Sequence, residues 1–279
     1  MKLKKLIKQY LEYLEFEKNK SESTLKSYKR YLEFFLDFAG NIRTSRITYG
    51  MVREFRIEQT KRGCSINYVN SISMCLRAFF RYANAHNIPC INFLMIELGQ
   101  RQPNLVVFLE RGEIRRLLKA PDTATIKGLR DKAILETLIS TGLRVGELVK
   151  IEKNQISRRN SITVIGKGKV VRLVFLSKRA KEWIDKYLKA RDDDSHLLFP
   201  LTKRSIERMI KGYSETAEIT KDITPHTLRY SLAVNLLENG ADIFHIKEIL
   251  GHKDIGTTQR YLHITNKHLE DIHNRFHRL

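Results

Sequence analysis

The sequence predicts a mainly α-helical protein with one small antiparallel β-sheet, built as a helical N-terminal domain followed by an α+β domain. Three observations carry this expectation. Apolar residues recur at three- and four-residue spacing along most of the chain. Two β-branched runs, residues 161–165 and 170–176, alternate at period two around Gly166-Lys167-Gly168-Lys169. A polar stretch at about residues 96–107, holding Gly99, Gln100, Arg101, Gln102, Pro103 and Asn104, interrupts the helical pattern as an interdomain linker would.

The N-terminal elements read in order. Residues 3–17 are amphipathic, with Leu6, Tyr10, Leu11 and Leu14 on one face. Ser23 is placed to cap a helix over residues 24–38 that ends at Gly40 and faces inward with Leu25, Tyr28, Leu32, Phe35 and Leu36. Thr48 caps a third helix running to Lys61 and stopped near Gly63. A fourth covers residues 65–84, with Ile72, Leu76, Phe79 and Phe80 inward. Lys26, Lys29, Arg30, Arg53, Arg56, Arg77 and Arg81 fall on the outer faces of this bundle.

Helices resume at 111–118, 126–141 and 145–151. The two β runs follow as a hairpin, and further helices are expected at 180–189, 204–217, 227–239, 243–250 and 257–262. The tail places Leu269, Ile272 and Phe276 on one side of a short helix.

Composition narrows the function. With 279 residues the chain can bury a core in each of two domains. Lys and Arg number 51 against 31 Asp and Glu, a net charge of +20 that predicts a polyanionic partner, nucleic acid first. Three cysteines, Cys64, Cys75 and Cys90, are an odd number without CxxC spacing, which predicts buried thiols in a reducing compartment, not a disulfide frame or a zinc site. No run approaches the roughly 18 apolar residues of a membrane span, so a cytoplasmic protein is expected.

Four segments bring chargeable residues beside turn-forming or apolar ones: Thr141-Gly142-Leu143-Arg144-Val145-Gly146-Glu147-Leu148, the Gly166-Lys167-Gly168 tip, Pro225-His226-Thr227-Leu228-Arg229, and Leu250-Gly251-His252 with Thr257-Thr258-Gln259-Arg260-Tyr261. Chemistry on a phosphodiester needs these types. Two guanidinium groups can clamp the non-bridging oxygens as charge builds on them. A lysine among other cations can protonate a leaving alkoxide. Histidine accepts a proton near neutral pH, and a nest of cations favours a phenolate nucleophile. Each residue alone has a duller reading: a surface arginine, turn chemistry, a helix-start histidine, a core tyrosine. The glycine–lysine tip lacks the Walker pattern, which argues against a nucleotide loop.

Together and in this order, the segments resemble the tyrosine recombinase (phage integrase) family, most closely its Xer-type members. The resemblance spans nearly the whole chain, and the nine-residue interval from His252 to Tyr261 fits it. It implies a helical core-binding (SAM-like) DNA-binding domain over 1–97, a linker over 98–107 and a catalytic domain over 108–279 ending in a subunit-exchange tail. It also implies roles. Arg144 and Arg229 bind the scissile phosphate, Lys167 is the general acid for the 5′-hydroxyl, and His226 assists proton transfer. His252 bonds a phosphate oxygen, and Tyr261 attacks phosphorus to give a 3′-phosphotyrosyl link. Glu147 supports the site. No metal, cofactor or ATP is required. The implied partner is double-stranded DNA carrying a specific recombination site, held in a C-shaped clamp. A homotetramer on two paired sites, or a related recombinase as hetero-partner, would pass through a Holliday junction. Leu269, Ile272 and Phe276 would dock on a neighbouring subunit.

Some positions depart from the family. Tyr230 stands where a second His is usual, Phe175 where Pro is common, Gln155 where Asp is common, and Glu110 where Ser or Thr begins a helix. His263, His268, His273 and His277 resemble a metal series, but two of the three steps are of five residues, which rotate about 140° on a helix and build no single ligand face. The competing readings are an integrase or excisionase of a mobile element, a type IB topoisomerase, a catalytically silent DNA-binding regulator and a helix-turn-helix regulator. The last leaves Arg144 and Lys167 unexplained.

Overall fold

Thr48 acts as the sequence predicts, its Oγ1 accepting from the Met51 N–H at 3.2 Å, and Ser65, expected as the first residue of the fourth helix, is its cap, its Oγ accepting from the Tyr68 N–H at 3.3 Å. Each satisfies one of the orphan donors of a helix start. They open α3 (Tyr49–Lys61) and α4 (Ile66–Ala85). The structure is a computed structural model and describes residues 1–100, 107–156, 160–165 and 171–251. The chain divides into two compact units, Met1–Asn104 and Leu105–Leu279.

In the first unit, α1 (Leu3–Glu12) runs into a π-helical turn at Tyr13–Glu17, where one continuous α-helix was expected. The wider turn accompanies a tilted ring contact of Tyr13 with Tyr82, centroids 4.7 Å apart, and Leu14 is buried. The next helix, α2 (Glu22–Ala39), begins two residues earlier than expected. Ser21, not Ser23, is its N-cap, because the extended backbone of Ser21 lets its carbonyl accept from the Thr24 and Leu25 amides at 2.8 and 3.0 Å. Gly40 ends α2 at φ 73°, a conformation that favours glycine. The inward residues named from periodicity make one core: Leu6, Tyr10, Leu14, Leu32, Phe35, Ile72, Leu76, Phe79 and Phe80 are all buried. Phe35 meets Phe55 edge-on at 5.3 Å. Cys64, Cys75 and Cys90 are free thiols, but only Cys75 is buried as expected, its thiol pushed well up by that burial; Cys64 and Cys90 lie in the segments after α3 and α4 and are partly exposed.

The second unit is organised on α6 (Ile126–Thr141), which is buried nearly all round. Its buried charges are all paired, as burial requires. Arg130 forks onto Asp131 Oδ1 at 2.9 and 2.8 Å, and the Tyr213 hydroxyl donates to Asp131 Oδ2 at 3.0 Å. Lys132 bonds the Leu118 carbonyl and pairs with Glu136 at 3.1 Å. Before α6, α5 (Arg111–Lys119) starts at Glu110; its box is closed by Glu113, whose carboxylate accepts from the Glu110 N–H at 2.8 Å. A short α7 (Val145–Leu148) follows, three residues shorter than expected. Strands β1 (Ser161–Ile165) and β2 (Val171–Phe175) pair antiparallel, with Val164 opposite Arg172. The remaining helices are α8 (Lys178–Ala190), α9 (Lys203–Thr216), α10 (Pro225–Glu238) and α11 (Ile243–Leu250). Among the described residues no helix is long and apolar enough to cross a membrane.

Gly128 in the first turn of α6 marks where this unit tolerates no side chain. A Cβ there would sit 1.7 Å from the Asp122 carbonyl oxygen. That atom is backbone, so the loop entering α6 would have to move. Gly128→Ala is expected to cost at least ~1–3 kcal/mol of stability, the usual range for overpacking. Denaturant unfolding checks it; an unchanged midpoint would contradict the close approach.

Candidate active site

Three helix ends build the site. Helix α6 stops at Gly142, which takes the left-handed conformation (φ 59°) and lets the chain turn sharply into Leu143 and Arg144. A Cβ on Gly142 would lie 2.8 Å from Leu250 Cδ2 and 3.0 Å from Leu232 Cδ2, so α10 and α11 press on this corner. Arg144 is the N-cap of α7. Its own N–H donates to Glu147 Oε2 at 3.0 Å, its Nη1 to Glu147 Oε1 at 3.1 Å, and its Nη2 to the Gly251 carbonyl at 3.4 Å.

Helix α10 delivers His226 and Arg229 one turn apart. Thr224 caps it, accepting from the Thr227 N–H at 3.3 Å, and Pro225 occupies the first helical position, where its missing N–H costs nothing. The i, i+3 spacing then sets His226 and Arg229 on one side. Arg229 is 2% exposed. It donates to the Gly142 and Leu250 carbonyls, the C-terminal ends of α6 and α11. Helix C-termini carry partial negative charge, which makes a buried guanidinium tolerable there. Helix α11 closes at Gly251 (φ 64°). Its last carbonyls therefore touch both arginines, Leu250 with Arg229 and Gly251 with Arg144.

His226 has an edge open to solvent. Burial of its ring, then the Arg229 and Arg144 charges, pull its pKa below the ordinary 6.5, against an opposing pull from Glu207. The imidazole is therefore held neutral, able to accept a proton, into mildly acid conditions. Because folding lowers this pKa, the unfolded chain binds the proton more readily. The group thus subtracts stability as pH falls through 6.5 towards its folded value, and has no such effect above 6.5. Imidazole NMR is expected to show a His226 midpoint below 6.5, and Arg144→Ala should raise it by removing one of the depressing charges. A midpoint indifferent to Arg144 would contradict the placement.

Glu147 and Arg172 complete the described part of the site. Arg172 on β2 forks onto Glu147, Nη1 to Oε1 at 3.0 Å and Nη2 to Oε2 at 2.8 Å. Burial works to raise the Glu147 pKa, but the Arg172 bonds, the Arg144 amide and both arginine charges outweigh it and hold the carboxyl low. Arg172 was not singled out from sequence. The signal was there: β2 alternates, and an arginine in register with the inward Val174 sits where an apolar residue is expected.

The structure thus brings Arg144, His226 and Arg229 together and adds Glu147 and Arg172. Lys167, His252 and Tyr261 lie outside the described residues, as do the hairpin tip, the expected helix at 257–262, the histidine series and the tail; most of the expected linker does too. Tyr230, the departure beside Arg229, has its ring 6.3 Å from the His226 ring.

Comparison with known proteins gives concordant findings. The phage integrase family profile matches residues 107–268, and the phage integrase N-terminal SAM-like domain matches residues 7–87. The chain is 36% identical over 291 residues to the tyrosine recombinase XerD of Listeria innocua serovar 6a and 32% identical over 289 residues to that of Staphylococcus haemolyticus, covering 98% of each chain in both cases. Among solved structures, XerA recombinase is 27% identical with a TM-score of 0.55 over 99% of both chains. XerH recombinase bound to palindromic difH substrate is 21% identical with a TM-score of 0.76, covering 93% of this chain and 82% of that one. A lambda integrase tetramer bound to a Holliday junction is 18% identical with a TM-score of 0.79, covering 94% and 77%.

Proposed function

This chain belongs to the phage integrase family, and on that premise we propose that it is a Xer-type site-specific DNA recombinase that cuts and rejoins strands through Tyr261. The observation that carries the reading is the convergence of Arg144, at the start of α7, with His226 and Arg229 of α10 at the C-terminal end of α11, with both guanidinium charges felt at the imidazole. Two fixed cations suit the non-bridging oxygens of a phosphodiester, where charge builds in the transition state. A neutral imidazole suits the phenolic proton of the nucleophile.

The remaining roles follow from position in the sequence. Lys167 precedes β2 by four residues and protonates the 5′-oxygen as it leaves. His252 directly follows Gly251, whose carbonyl already meets Arg144, and bonds a phosphate oxygen. Tyr261 lies nine residues further on and attacks phosphorus. The phosphotyrosyl link conserves the bond energy, so rejoining by a partner strand's 5′-hydroxyl needs neither ATP nor a metal. Residues 1–97 act as the core-binding domain and 108–279 as the catalytic domain, joined by 98–107. The partner is duplex DNA with a specific site, and four protomers, or two related recombinases, assemble on a pair of sites in the cytoplasm. The net charge of +20 fits such a partner, and binding should weaken steeply with salt.

The test is a nicked suicide duplex carrying a site selected from a random pool by this protein's own binding. A denaturant-resistant protein–DNA adduct on that site is expected. Its absence would favour a silent regulator, and relaxation of plasmids lacking the site would favour a topoisomerase.

A further inference from the structure

The two oxygens of Glu147 are shared by two guanidinium groups. Arg172 takes both, at 3.0 and 2.8 Å, and Arg144 takes Oε1 at 3.1 Å. Exposure grades across the triad: the side chains are 13% exposed for Arg172, 9% for Glu147 and 36% for Arg144. Arg172 is therefore the inner cation and Arg144 the one that meets a ligand. Arg172 is also locked in place. Its strand pairs it with Val164, and a Cβ on Gly251 would lie 2.8 Å from its Cδ and Nε. That Nε is buried with no hydrogen-bond partner among the described residues, so the fork on Glu147 is the bond that orients this side chain.

The charge count gives the arrangement its meaning. Two guanidinium groups against one carboxylate leave the triad net positive, with the excess at the exposed member. A carboxylate left with Arg144 alone would offset its charge, and in a partly dry site that pair would be strong. The Arg144 fork would then turn onto Glu147 and away from an incoming anion. We propose that Arg172 is a positioning residue for phosphate binding: by occupying Glu147 it leaves a net positive charge at Arg144 and keeps that guanidinium turned towards the scissile phosphate. This rests on the reading of Arg144 as a phosphate ligand given above.

The test compares full-length wild type, Arg172→Ala, Glu147→Gln and the double variant, by adduct formation at saturating suicide substrate. It is paired with titration of inorganic phosphate followed on the Arg144 Nε–H NMR signal. Arg172→Ala is expected to slow cleavage by about 30-fold or more, in the range for losing one charge-stabilising group, while DNA affinity moves less than about threefold. The double variant should regain about tenfold over Arg172→Ala, because removing the carboxylate frees Arg144 again. Phosphate affinity should fall and recover in the same order. A merely structural arginine gives no recovery, since a second lost contact cannot mend the first. Arg172→Met, which keeps the stem against Gly251, replaces the alanine variant if that fails to fold. A double variant as slow as Arg172→Ala, or Arg172→Ala at wild-type rate, overturns the proposal. If even wild type forms no adduct, the recombinase reading fails by itself. The phosphate titration then decides Arg172, and equal affinity in wild type and Arg172→Ala sinks it.

Discussion

Tyr261→Phe is expected to abolish the covalent protein–DNA adduct, by on the order of 10⁴-fold or more, while leaving DNA affinity within about twofold of wild type. The substitution removes one oxygen and nothing else. That oxygen is the atom that would bond phosphorus, and no acid–base adjustment by Arg144, His226 or Arg229 replaces a missing nucleophile. The affinity, by contrast, is expected to come from many phosphate contacts spread over a chain of net charge +20. Gel-shift and denaturing-gel assays on the same samples separate the two quantities. An adduct that persists in Tyr261→Phe would place the nucleophile elsewhere, and a collapse of binding would make Tyr261 a folding residue.

The second large effect concerns the two arginines, and the structure separates them. Arg229 is buried and bonds the ends of α6 and α11. Arg229→Ala leaves two helix-end carbonyls without that donor. It is expected to cost about 2–5 kcal/mol of stability as well as 10²- to 10³-fold or more in cleavage. Arg144 is a third exposed, and among the described residues its truncation loses only Glu147 and the Gly251 carbonyl. Arg144→Ala is therefore expected to lose about as much cleavage with little change in unfolding midpoint. Arg229→Lys keeps a charge but cannot fork between two carbonyls, so it should recover only part of either quantity. Equal destabilisation by both alanine variants would contradict the division between a clamp built into the core and one at the surface.

The helices were legible because their ends are written in local chemistry. Thr48 caps where expected, Gly40 ends α2 where expected, and the inward faces of α1, α2 and α4 form one core. The misplacements were also local. Two candidate serines stand two residues apart before α2, and backbone geometry chose Ser21. The π-turn after Glu12 leaves the apolar period readable and so gives no sequence signal. Of the site, Arg144, His226 and Arg229 were legible as members of a set, and the structure brings them together. Arg172 was not, because its importance lies in contact with a residue 25 positions away. Nor was the use of helix-end carbonyls to seat Arg229, since nothing in the PHTLR segment names Gly142 or Leu250 as its partners. Lys167, His252 and Tyr261 rest on spacing and resemblance.

The most direct measurement is to trap the adduct on the nicked suicide duplex, digest it with protease and nuclease, and map the nucleotide-bearing peptide by mass spectrometry. The expected product is the peptide containing Tyr261 joined to a DNA 3′-phosphate, with a free 5′-hydroxyl on the released strand. A nucleotide on another residue, a 5′-linkage, or no adduct on a site the protein binds tightly would contradict the account.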